Sequence, residues 1–183
     1  MERRRPGSRI PLDLHFQLRD EHLEYFRHIM RETRERARSR SYNEILHAAE
    51  ELLARAHSQN VPEFVARTLE KLGVMLAMIR DKEWRLPDDE ISRVMNALAY
   101  FADPEDLIPD HIPGIGQLDD AIMVELVARE LKGELDAYAD FCAFRAGQEE
   151  KRQADGKPGP VTRDDWLAMK RSEVDSIRRR GGK

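Results

Sequence analysis

Apolar positions recur along most of the chain at the three- and four-residue spacing of an amphipathic helix, and a period of two is nowhere sustained. Leu23, Phe26, Ile29 and Met30 mark the inner side of a helix predicted over Asp20 to Arg38. Ser41 and Glu44 form a capping box that opens a second helix to about His57, with Ile45, Ala49, Leu52, Leu53 and Ala56 inward. Asn60, Pro62 and Glu63 start a third, carrying Val65, Leu69, Leu72, Met75, Leu76 and Ile79. Pro87 starts a fourth, with Ile91, Val94, Met95, Leu98 and Phe101. Leu118, Ile122, Leu126, Leu131, Leu135, Tyr138 and Phe141 then predict one long helix, or a pair broken near Gly133. Thr162, with Asp165 three residues later, caps a last helix that carries Trp166, Leu167, Met169, Val174 and Ile177. The fold class is all-α: a bundle of four to five helices with peripheral helices at both ends.

Between Tyr100 and Asp120 the helical rhythm stops. Pro104, Pro109 and Pro113 fix φ and remove backbone donors, while Gly114 and Gly116 permit positive φ, so the chain must turn repeatedly. Leu107, Ile108, Ile112, Ile115 and Leu118 are nevertheless too apolar for a solvated loop. Burying them draws backbone N–H and C=O groups inward, where they need partners. Asp106 and Asp110 can accept from N–H groups a few residues onward, and Asp119 and Asp120 stand at the positive end of the following helix dipole.

This string, with aromatic-Phe, Pro, Asp-Leu-Ile-Pro-Asp, Ile-Pro, Gly and Leu-Asp-Asp in that order, resembles the hallmark of the YkvA-like family, domain of unknown function 1232. The resemblance is specific from about Leu86 to Arg145 and implies a bacterial helical protein whose hallmark residues are Pro104, Asp106, Pro109, Asp110, Pro113, Gly116, Asp119 and Asp120. It implies no chemistry. Some relatives are hydrophobic enough for membrane association, whereas Glu105, His111, Gln117, Glu125 and Arg129 make this chain more polar around the hallmark.

Charge divides the chain into regions. Residues 1–40 hold eleven Lys and Arg against seven Asp and Glu; residues 41–147 hold ten against twenty-one; residues 148–183 hold ten against seven. Basic ends thus flank an acidic middle, within a net charge of −4. The expected organisation is a disordered basic arm (1–19), a basic amphipathic helix (20–40), a helical core with the hallmark (41–146), a flexible linker (147–161) and a C-terminal helix with a basic tail (162–183). Arg27, Arg31, Arg34 and Arg38 fall on one stripe of the first helix and, with Trp166, are the expected partner-binding residues. A solvated helix face, and a Trp166 that packs on its own domain, are the plainer readings of these features.

The longest strongly apolar run, Leu72 to Ile79 between Lys71 and Arg80, is far short of the ~20 residues needed to cross a bilayer. One cysteine, Cys142, and no signal-peptide pattern suggest the cytoplasm, with peripheral contact at the inner membrane as an alternative.

Catalytic motifs are scarce. Asp106, Asp110, Asp119 and Asp120, with His111 beside them, offer oxygen ligands for Mg²⁺ or Ca²⁺, but their spacing matches neither an EF-hand nor a phosphate loop. Caps and turns account for each Asp without a metal or any other cofactor. Glu44 and His47 make a single Glu-x-x-His pair where a di-iron bundle needs two, and Cys142 has no local His partner. The arginine-rich ends lack the aromatic interleaving of single-strand binders, and the acidic core repels phosphate, so nucleic acid is a minor alternative. The sequence therefore predicts a non-enzymatic interaction or scaffold module that meets a protein partner or a second copy of itself. A metal-dependent site at the Asp cluster is the alternative.

Overall fold

The computed structural model describes residues 17–58, 61–103, 108, 117–157 and 159–181, with side chains to 179. Seven helices and no strand stand among them: α1 (Asp20–Arg36), α2 (Tyr42–Ser58), α3 (Glu63–Arg80), α4 (Asp88–Leu98), α5 (Leu118–Glu130), α6 (Lys132–Ala154) and α7 (Arg163–Gly181). Short 3₁₀ turns follow α1 at Ala37–Ser39 and α4 at Ala99–Ala102. The all-α expectation holds.

Helix α3 is central, packing against α2, α5 and α6; α1 closes one side by lying on α5 and on the turn after α4. Its buried face carries Val65, Leu69, Leu72, Met75, Leu76 and Met78, the set expected from spacing with Met78 in place of the half-buried Ile79. Gly73 lets α2 come close, since a Cβ there would sit 3.3 Å from Leu53 Cδ2. Both capping boxes form. Ser41 N–H donates to Glu44 Oε2 at 2.7 Å, and Thr162 N–H to Asp165 Oδ2 at 3.0 Å. The bond from Ser41 holds the Glu44 carboxyl below the usual range, and that from Thr162 does the same for Asp165.

One predicted boundary is met and one is not. The break between α5 and α6 falls at Leu131, two residues before Gly133, and coincides with full burial of the Leu131 side chain. The region 147–161 is not wholly a linker, because α6 continues through Ala154. Gln148 to Ala154 are all good helix formers, a preference that outweighs their polarity. The helix then stops in a Schellman motif: Gly156 adopts φ 67°, its N–H donates to Gln153 O at 3.1 Å, and Lys157 N–H donates to Arg152 O at 2.9 Å.

Candidate functional site

Of the stretch that carries the hallmark, residues 100–103, 108 and 117–120 are among the described ones. Tyr100 and Phe101 are buried and meet edge to face at 5.2 Å. Asp103 receives Arg36 of α1 through Nε at 2.8 Å. At the other end Asp119, 2% exposed in the first turn of α5, reaches back eleven residues: its Oδ2 accepts from the Ile108 N–H at 2.9 Å. Asp120 is also buried. A carboxylate at the N-terminus of α5 is thus bonded to a backbone donor of the preceding loop. Pro104, Asp106, Pro109, Asp110, Pro113 and Gly116 lie outside the described residues. No group of three or more metal-ligating side chains occurs among the described ones.

The predicted basic stripe does not stay together as a free surface. Arg34, 12% exposed, forms a two-pronged pair with Glu130 of α5 at 2.9 and 3.2 Å and donates to Ala97 O at 3.3 Å. It fastens α1 to the body. Arg27 pairs with Glu24 at 2.5 Å and Arg38 with Glu35 at 2.6 Å along the helix surface, and Arg31 is exposed.

Trp166 packs on its own domain, the plainer of the two readings of this residue. At 9% exposure it packs against the ring of Trp84, centroids 5.5 Å apart, and its indole N–H donates to Asp140 Oδ2 at 2.7 Å. Lys170 Nζ reaches the same carboxylate at 2.8 Å. The bonds from Lys170 and then Trp166 hold Asp140 below the usual carboxylate range. Arg163 stacks over Trp84 at 4.5 Å, pairs with Glu90 at 3.0 Å, and gives its backbone N–H to Glu83 O at 2.9 Å. The first two turns of α7 are therefore latched to α6 and to the turn after α3.

That turn is organised by Asp81, which the sequence reading passed over. Its Oδ1 accepts from the N–H groups of Glu83 and Trp84 at 3.0 and 3.1 Å, while Oδ2 accepts from Tyr138 OH at 3.0 Å and Arg145 at 2.7 Å. Burial opposes the charge on Asp81, but the four donors outweigh it and hold the carboxyl below its ordinary value. The Tyr138 hydroxyl is pushed well above its ordinary value, first by burial and then by donating to Asp81. Trp84 sits over this hub, 5.0 Å from the ring of Phe141 and 5.6 Å from that of Tyr138. One signal for the hub was available: only two tryptophans occur in the whole chain, and they meet here.

An apolar groove of about 340 Å³ lies where α1, α3 and α5 meet and includes Leu18, Phe64, Ile122, Glu125 and Arg129. Its charged groups are engaged with each other: Arg129 donates to Glu125 at 3.0 Å, and Lys71 also pairs with Glu125. Burial resists the Glu125 charge, yet these two cations keep its carboxyl low, the opposite of what a general acid at neutral pH requires.

The family model described as protein of unknown function (DUF1232) matches residues 92–126, which run from α4 through the hallmark into α5. A curated relative, the "Uncharacterized membrane protein YkvA" of Bacillus subtilis (strain 168), is 33% identical over 78 residues, covering 39% of this chain and 72% of that protein. The chain belongs to the YkvA-like DUF1232 family. No solved structure matches it. The DUF1232 match contains the Asp119 staple, whereas Trp84, Asp81, Tyr138, Arg145 and Trp166 lie outside it. In this DUF1232 protein the latch is therefore built from residues beyond the matched segment. No helix among the described residues is long and apolar enough to cross a membrane.

Proposed function

We propose that this YkvA-like protein is a non-enzymatic helical interaction module. The observation that supports the reading is the division of α7. Its first two turns are fixed by Trp166, Arg163 and Lys170, while every residue from Arg171 to Arg179 is exposed, including Val174 at 49% and Ile177 at 68%. A helix presenting aliphatic and cationic side chains beyond the body contributes little to the core and offers a contact surface. The staple and the hub complement this reading, since each spends its carboxylate on hydrogen bonds that hold structure.

Deleting residues 172–183 removes only the exposed part. The truncated chain is expected to melt within a few degrees of the parent, because exposed positions contribute about 0.5 kcal/mol or less each. Its cross-links to other molecules in a native extract are expected to disappear. A large loss of thermal stability, or an unchanged cross-linking pattern, contradicts the reading.

A further inference from the structure

Resting on that reading, we infer that the exposed half of α7 docks on an anionic lipid surface. Val174 and Ile177, three residues apart, share one helix face, and Ile177 stands three turns beyond Trp166 on the side that Trp166 buries. The aliphatic face of α7 thus continues past the edge of the body. Arg171 and Arg178, seven residues apart, border this face on one side with Arg179 beyond them, and Glu173 borders it on the other, so residues 171–179 carry three arginines against Glu173 and Asp175. Aliphatic side chains bordered by arginines are what an interfacial helix presents to acyl chains and phosphate headgroups together.

The position of these charges matters as much as their number. Residues 41–147 are strongly acidic and are repelled by an anionic surface. From Arg171 to Gly181 the helix extends about 16 Å at 1.5 Å per residue, roughly two screening lengths at physiological salt. The arginines therefore reach a membrane while much of the body's repulsion is screened.

Other occupants fit less well. A second copy would cover only Val174 and Ile177 as large apolar side chains on this half, far below the ~800 Å² per partner of a stable interface. A nucleic acid would use the arginines but leave both aliphatic side chains in water.

The test is co-sedimentation of the full chain with vesicles of phosphatidylcholine alone or mixed with phosphatidylglycerol. Binding is expected only to the mixed vesicles and is expected to weaken as salt rises. Two variants that change exposed positions alone, Arg178→Glu with Arg179→Glu and Val174→Ser with Ile177→Ser, are each expected to weaken it about tenfold or more. Both should melt like the parent. Absence of binding to the mixed vesicles, or equal binding by both variants, overturns the inference. Association through α7 with a second copy, another protein or a nucleic acid, without vesicle binding, also overturns it but leaves the interaction-module reading standing. Loss of every α7-dependent association removes both.

Discussion

Replacing Trp84 by alanine is expected to lower stability by about 3–5 kcal/mol, the range for truncating a buried aromatic, and to release α7 from the body. Trp84 is 1% exposed and is the surface on which Tyr138, Phe141, Trp166 and the Arg163 guanidinium converge. Without its ring, Trp166 loses its main apolar contact, and the bond to Asp140 would have to hold the helix with little packing behind it. Trp84→Phe is expected to be much milder, because the buried indole N–H has no hydrogen-bond partner among the described residues and phenylalanine removes that donor while keeping an aromatic ring. Thermal melts should therefore rank parent, Phe and Ala in descending stability. An alanine variant as stable as the parent would mean that the latch is not a packing unit.

The second large effect is expected at Asp119. Its alanine variant should cost about 1–3 kcal/mol, since the Ile108 N–H loses its acceptor in a part-buried setting. Asn keeps one carbonyl oxygen for that donor but loses the charge that suits the start of α5, so Asp119→Asn should fall between the two. Calorimetry checks the order. Equal stability of Asp119→Ala and the parent would remove the staple from the account.

These two sites differ in how far sequence could reveal them. The position of Asp119 at the start of a helix is a local property, visible from the apolar spacing that follows it. Its bond to Ile108 closes a loop of eleven residues and depends on the path of the turn, which local spacing does not encode. Ser41 with Glu44, and Thr162 with Asp165, were legible because both partners of each box lie within one turn. Trp84 was hidden for the opposite reason: it sits in a charged turn, Asp81 to Arg85, with no helical periodicity, and its neighbours come from α6 and α7, more than fifty residues away. Arg34 was read as one member of a stripe because periodicity identifies a helix face without identifying what lies against it, here Glu130. The continuation of α6 to Ala154 was obscured by polarity, although helix propensity alone would have predicted it.

The division of α7 into a latched half and a free half is the centre of this account, and hydrogen exchange along that helix tests it most directly. Amides from Trp166 to Lys170 should be strongly protected, and should lose that protection when Trp166 is replaced by alanine. Amides from Ser172 to Arg179 should exchange much faster in the isolated protein, as expected of a short helix without tertiary support. Uniform protection along the whole helix, or protection of the first half that survives Trp166→Ala, would contradict it.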